Sequence, residues 1–550
     1  MANHERVDRP TRRDFLKLAG AAAAAGVAAP ALAHHHPKPT PQSIQYLDKN
    51  SYIHNMEIIA HFEPGTARSG GVQIMNYKGA RLAFQGRDVI DVSDPRNPKY
   101  ANKGGAQSGE LSFHQQAKKW VIMTTAEAAR ELSTPYGKYD PAIGVKEFRE
   151  FKGLRGIRMW DATDPMSVKQ LCEYSTGQTG SGAHIDGSYY DGGKYAYVAA
   201  APDDSFTNLL SCILPLSHCV NIIDLSDPAA PKPVTSWWVP GQRNTEMKEM
   251  KKWQCVAGRC NDLPEKPMTL EETVEAFKHL KGFPALDRMP YTQIHGPSMP
   301  TRRIEDGGRI AYGAWSAFGM LVHDFSDIKN PKLIGRFDPS PLYGGDGIPF
   351  HTIWLGTESR GFTISVAESL NPDCNESSLP LWVIDVRDPR NPVPIAQLPR
   401  PRPPKEAPYT DFCFARGRFS SHISPNHKAP GRFSQNFFAV SFFNAGLRCY
   451  DVSEPLAPKE VAYFMPPRTG TLSADCRTTD AADKQSCIDE AQSFSRPVDN
   501  VFVEWDRRLI YAGTTNGLYI LSCPALGTPV LENAPVREWT MPGLNTGAPA

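Results

Sequence analysis

Ile90-Asp91-Val92-Ser93-Asp94-Pro95-Arg96-Asn97-Pro98 decides the fold, because the same phrase recurs along the chain. It returns as Trp160-Asp161-Ala162-Thr163-Asp164-Pro165, Ile223-Asp224-Leu225-Ser226-Asp227-Pro228 and His323-Asp324-Phe325-Ser326-Asp327. Further copies are Ile384-Asp385-Val386-Arg387-Asp388-Pro389, Tyr450-Asp451-Val452-Ser453-Glu454-Pro455 and a degenerate Tyr519-Ile520-Leu521-Ser522-Cys523-Pro524. From Asp91 to Asp451, successive copies lie 70, 63, 100, 61 and 66 residues apart. A regular internal period of this kind marks repeated structural units. The phrase itself is turn chemistry: short carboxylates accept from nearby backbone N–H groups, and proline fixes φ.

The sixth unit shows what lies around the phrase. His422-Ile423-Ser424 leads into Phe437-Phe438-Ala439-Val440-Ser441; Asn444-Ala445-Gly446 turns the chain into Leu447-Arg448-Cys449-Tyr450-Asp451-Val452; Glu460-Val461-Ala462-Tyr463-Phe464 follows. These are four short antiparallel strands, A to D. In other units, Asp191-Gly192-Gly193, Asp306-Gly307-Gly308 and Asn516-Gly517 supply the turns. Seven such units predict an all-β, seven-bladed β-propeller with long loop insertions on one face. The expected domains are an export signal over 1–33, a linker over 34–50, the propeller over 51–535 and a tail over 536–550. Met56-Glu57-Ile58-Ile59-Ala60-His61-Phe62 and Val530-Leu531-Glu532 compete to supply the strand that closes the ring. The repeated phrase resembles the LVIVD-repeat family of bacterial β-propeller proteins over about residues 70–530. That resemblance implies the fold; it carries little about function, since the shared motif is a turn.

Composition narrows the function. Of 550 residues, 60 are Lys or Arg and 59 are Asp or Glu, a net charge of +1 that favours neither nucleic acid nor an anionic membrane. Pro 49 and Gly 43 suit many turns and few long helices. Thr11-Arg12-Arg13-Asp14-Phe15-Leu16-Lys17, the run Leu18 to Ala31 and then Ala31-Leu32-Ala33 read as a twin-arginine export signal. The run is too short and Ala-rich to span a bilayer, so no integral membrane association is expected. The expected setting is periplasmic or secreted, with the twin-arginine (Tat) translocase as a partner during export. In an oxidising compartment Cys212/Cys219, Cys255/Cys260 and Cys476/Cys487 are candidate disulfides.

Histidine is only 15 of 550 residues, yet it recurs where strand A begins: His114, His184, His295, His351 and His422 in units two to six. The seventh unit offers Asn500 after Asp499, the first only Gly71 or Val72. In a propeller strand A lines the central channel, so these rings are expected to converge there as metal ligands. The insertions Glu127–Gly156, Ala201–Cys219, Glu368–Pro380, Pro240–Tyr291, Arg400–Arg418 and Pro466–Ser495 all fall on the face where strand A starts. Glu127 and Glu368, each just after strand B, are candidate acid/base groups or acceptors for the histidines. Leu270 to Lys278 reads as an amphipathic lid helix. Trp315, Phe442 and Phe443 are candidates for a pocket floor, with core packing as the alternative.

An all-imidazole site with open positions suits iron or copper oxygen chemistry, or a zinc or iron hydroxide for hydrolysis or lyase work, with iron or copper expected ahead of zinc. The expected activity is metal-dependent oxidation of a small organic substrate. Two alternatives stand beside it: a non-catalytic binding propeller whose histidines bond within their own blades, and a hydrolase or lyase using the same histidines.

Overall fold

The computed structural model describes residues 50–63, 71–128, 145–206, 217–246, 249, 293–339, 347–355, 360–370, 374, 378–415, 417–424, 435–468 and 498–532. Two N-terminal strands come first, β1 Tyr52–His54 and β2 Glu57–Phe62. Blade one is β3 Val72–Tyr77, β4 Ala80–Gln85, β5 Asp88–Asp91 and β6 Lys99–Asn102. Blade two is β7 Glu110–His114, β8 Lys119–Ala126, β9 Gly156–Asp161 and β10 Lys169–Ser175. Blade three is β11 Ser188–Tyr189, β12 Tyr195–Ala199, β13 Cys219–Asp224 and β14 Lys232–Trp238. Blade four is β15 Gly296–Pro300, β16 Ile310–Ala314, β17 Met320–Asp324 and β18 Lys332–Phe337; blade five is β19 Ile348–Trp354, β20 Phe362–Glu368, β21 Trp382–Asp385 and β22 Val393–Gln397. Blade six contains β23 Phe437–Ser441, β24 Leu447–Asp451 and β25 Lys459–Met465, and blade seven β26 Val498–Glu504, β27 Leu509–Thr514 and β28 Gly517–Ser522. The seven antiparallel sheets form a ring, an all-β seven-bladed propeller as the repeats predict.

The repeat phrase does what its chemistry requires. Its first aspartate ends strand C in six blades and accepts from the backbone N–H two residues on, at 2.9 Å for Asp91 to Ser93 and 2.8 Å for Asp451 to Ser453. The second acidic residue repeats the device: Asp94 accepts from Arg96 N at 3.0 Å and Glu454 from Leu456 N at 3.2 Å. Just before each turn the C–D register slips, as at Val322/His323 and Cys449/Tyr450. A bulge at this point adds twist and bends strand D outward.

The N-terminus closes the ring. β2 pairs antiparallel with β28, Ile58 opposite Leu521, so the outer strand of blade seven comes from the start of the chain. Val530 instead donates its N–H to the Arg507 carbonyl at 2.9 Å. One pairing lies beyond the sequence reading: β1 adds to the outer edge of blade six, with Ile53 opposite Phe464. The first strand of blade six is correspondingly irregular; His422 N donates to Ser441 O and Ser441 N to Ile423 O, both at 2.9 Å.

Apolar cores fill the junctions between neighbouring blades. Ile74, Ile90, Tyr511 and Ile520 join blades one and seven, and Trp354, Ile364, Phe438 and Val440 join five and six. The blade one–seven joint also holds charge: Arg81 and Glu504 are both fully buried and ion-paired, with Asp506 on the same guanidinium and Tyr511 Oη donating to Glu504 at 2.8 Å. Among the described residues no helix is long and apolar enough to cross a membrane.

Cysteine usage departs from expectation. Cys219 is a free buried thiol, so it makes no bridge with Cys212; burial pushes it up to about 12. Among the described residues the bridge is Cys374–Cys413, which sequence proximity does not favour because 39 positions separate the pair. Cys212, Cys255/Cys260, Cys476/Cys487, the 1–33 signal, the 536–550 tail and the Leu270 to Lys278 helix lie outside the described residues.

Two measurements test this account. Replacing Arg81 with Met leaves the buried Glu504 carboxylate with Arg507, 3.9 Å away, as its remaining described counterion and lowers stability by about 3 kcal/mol, read by denaturant unfolding. Adding Glu504→Gln recovers most of the loss. His323 sits fully enclosed among Trp237, Trp315 and Phe325, with Trp237 4.2 Å away and neither ring nitrogen hydrogen-bonded among the described residues. Burial pushes its imidazolium from 6.5 down to about 3. The unfolded chain therefore binds a proton that the fold refuses, so stability is full above pH 6.5 and falls as pH drops toward 3. The His323→Phe variant loses this slope, gaining about 2 kcal/mol on wild type between roughly pH 7 and 5 in urea titrations.

Candidate functional site

Four of the five expected histidines gather at one end of the channel. Neighbouring rings follow one another around it, with centroids 4.7 Å apart for His184–His295, 5.1 Å for His295–His351 and 4.9 Å for His351–His422. All four are buried, between 1% and 5% exposed. Each comes from a different blade, three to six, at or near the start of strand A.

His114 is the exception and corrects the sequence alignment. It is the last residue of β7, beside the hairpin to Lys119, and so lies at the far end of strand A from the cluster. Its Nδ1 accepts from Ala117 N at 2.9 Å and its Nε2 donates to Leu225 O at 2.7 Å. With both nitrogens hydrogen-bonded, it clamps a turn. In blade two the channel-side position belongs to Glu110, four residues earlier.

The backbone fixes how the other rings face. Glu127 forms an isolated bridge to Gly182, and Ala183 N donates to Ala126 O at 3.0 Å. Gly182 sits at φ +76°, and a Cβ there would come within 2.2 Å of the Ala126 carbonyl oxygen. This close approach brings Glu127 against His184, whose Nδ1 donates to the carboxylate at 3.0 Å. His295 Nδ1 donates to Gln293 O at 3.4 Å, and His422 Nδ1 to Asp499 O at 3.0 Å. An Nδ1–H anchored in this way leaves the Nε2 lone pair for a ligand. Glu127 is thus a hydrogen-bond partner of the His184 ring.

Glu368, the last residue of β20, lies among the remaining Nε2 atoms. Its Oε2 is 3.4 Å from His351 and 4.0 Å from His295; its Oε1 is 3.7 Å from His422. Arg418, 2% exposed, holds the same carboxylate, donates to Ser369 O and lies 4.5 Å over the Phe443 ring. Phe443 in turn stacks on His422 at 4.7 Å. Trp315 and Phe442, by contrast, belong to the inter-blade cores. Burial opposes the Glu368 charge, but Arg418 and the histidines outweigh it and hold the carboxyl well below its usual range. Burial pushes His351 down to about 4, although Glu368 pulls the other way. Burial, His184 and His351 drive His295 well below the usual imidazole value. His295 and His351 are thus neutral imidazoles beside an ionised Glu368 carboxylate.

Two residue sets bring ligand atoms within 4.8 Å of one another: His295, His351 and Glu368, and Asp186, His351 and His422. His184 Nε2 and both nitrogens of His351 are buried without a hydrogen-bond partner among the described residues. Buried polar atoms rarely go unsatisfied, so these mark a place that a ligand would complete. Sequence reading missed Arg418, Asp186 and Gln293. Asp186 and Gln293 each lie two positions from a cluster histidine, and that adjacency was the available signal.

Above the cluster lies a channel of about 290 Å³ to which all seven blades contribute. The expected gathering of insertions on this face is supported by the Cys374–Cys413 bridge, which joins the Glu368–Pro380 and Arg400–Arg418 insertions.

No family model matches the chain, and no curated protein is similar to it in sequence. Among solved structures it is similar to the N-terminal domain of Nup159, with TM-score 0.39, 9% identity and coverage of 87% of this chain and 96% of that one. It is also similar to an S. cerevisiae assembly of a dbp5 variant bound to nup159, a gle1 variant, IP6 and ADP, with TM-score 0.38, 8% identity and the same coverage. Likeness at this level carries nothing about ligands or activity.

Gly182 provides the test of the local geometry. Gly182→Ala adds a steric clash to backbone strain and lowers stability by about 1–3 kcal/mol, measured as a shift in thermal midpoint. Gly79→Ala, at φ +84° with nothing within 4 Å of the added methyl, costs less because only the backbone term applies.

Proposed function

We propose that His184, His295, His351 and His422 hold one transition-metal ion, and that the chain is an exported, metal-dependent oxidoreductase acting on a small organic substrate. The observation that carries this reading is the set of buried imidazole nitrogens on His184 and His351 that make no hydrogen bond among the described residues. A structural hydrogen-bond network would have used those atoms, as it does in His114. Nitrogen donors with a nearby carboxylate favour iron or copper over calcium or magnesium.

Two overlapping sets of ligand atoms, on His295, His351 and Glu368 and on Asp186, His351 and His422, support such an ion. Glu127 and the carbonyls of Gln293 and Asp499 hold three rings by their Nδ1 atoms, fixing the tautomer in which Nε2 donates an electron pair. Glu368 places a negative charge beside three of the rings, and Arg418 anchors it. The phenyl ring of Phe443 covers His422 and keeps water off that side. When bound, iron or copper would supply electron-transfer or oxygen chemistry at the channel floor. The repeat's resemblance to the LVIVD-repeat family and the signal-like 1–33 segment belong to the same proposal, and the Cys374–Cys413 bridge suits an oxidising compartment.

A second reading has its own support. Glu368 is ionised and His351 neutral at 3.4 Å from it, a pair able to move protons without a metal.

Elemental analysis of the full-length protein separates the two. The expected result is about one iron or copper per chain, falling below about a tenth of that in His184→Ala and His351→Ala. His114→Ala keeps its metal and loses only stability. Metal-free wild type, or undiminished metal in both ligand variants, overturns the metal reading.

A further inference from the structure

The channel wall divides by chemistry. His295, His351 and His422 reach it from blades four to six, whereas Glu110, Asp186 and Asp499 reach it from blades two, three and seven. No Lys or Arg is among the described residues lining it. Apolar residues also line it: Ile185 and Met299, together with Leu111 and Ile353, whose side chains belong to inter-blade cores. His351, 1% exposed and with both ring nitrogens unpartnered among the described residues, marks the end of the channel that a ligand would complete. At about 290 Å³ the space lies at the small end of ligand pockets.

We propose that this channel binds a small organic cation, an alkylammonium whose charge faces the carboxylates of Glu110, Asp186 and Asp499 and whose carbon chain lies along the apolar side chains. An anion entering the same space would be desolvated against three carboxylates, with no Lys or Arg among the described lining residues to receive it. A hydrated inorganic ion would gain nothing from Leu111, Ile185, Met299 and Ile353. The proposal names the substrate class for the metal centre and rests on that reading for what happens at the histidines. Binding of the cation itself needs no metal.

The test titrates the full-length protein, as purified, with n-butylammonium, n-butanol and n-butyrate at about pH 7 and about 0.15 M salt, followed by calorimetry. Saturable binding of butylammonium is expected, at least about tenfold tighter than butanol, with no binding of butyrate. Glu110→Gln, in the blade that gives no histidine to the cluster, weakens butylammonium by about tenfold and leaves butanol and metal content unchanged. Butyrate binding as well as butylammonium overturns the proposal, as does failure of all three to bind, or an unaltered amine affinity in Glu110→Gln. Metal content of the same samples separates the two claims. A metal-free protein that binds the amine removes the metal reading and leaves this one, and a metal-loaded protein that prefers butyrate does the reverse.

Discussion

Each blade carries apolar side chains on both faces, and a four-stranded sheet cannot cover both by itself. Only a neighbour on each side removes them from water, so the sheets must form a closed ring with no end blade. Inter-blade cores such as those at Ile74/Tyr511 and Trp354/Val440 satisfy that demand. The ring leaves an axial space, and the start of strand A in each blade is the part of the sheet nearest to it. Whatever residues occupy that register are brought together regardless of how far apart they lie in sequence.

The cluster shows how burial and charge work against one another. Imidazoles crowded together and removed from water lose their proton, as the directions at His295 and His351 record. A carboxylate in the same place would tend to gain one, yet Glu368 stays ionised because Arg418 and the histidines surround it. Neutral rings and a retained negative charge are what a cationic ligand needs, and the fold assembles both. The channel above has the same sign of charge in Glu110, Asp186 and Asp499.

Much of this was legible in the sequence, for identifiable reasons. The Asp-x-Ser-Asp-Pro phrase encodes a local turn whose hydrogen bonds need only neighbouring residues, so it reports each strand C end directly. His184, His295, His351 and His422 follow from counting along strand A. His114 misled that count because blade two has its histidine at the far end of the strand, a shift of four residues that flips it to the opposite side of the ring. Arg418, the added strand β1 and the Cys374–Cys413 bridge were not readable, since each depends on which loops or edges meet in space. Cys219 shows the converse: a close neighbour in sequence suggested a bridge, whereas the β13 strand carries its thiol into a blade core.

The double pairing of the N-terminal segment has a consequence for synthesis. β1 and β2 leave the ribosome before any blade exists, but their partners β25 and β28 are made last. During translation the growing chain therefore has no seam to fasten, and blades one to five can pack only as an open arc. Closure is a terminal event spanning nearly the whole polypeptide, a contact of very high sequence separation and correspondingly slow to form. A nascent or truncated product would expose two sheet edges at once, which makes the last stretch of translation the interval of greatest exposure to aggregation.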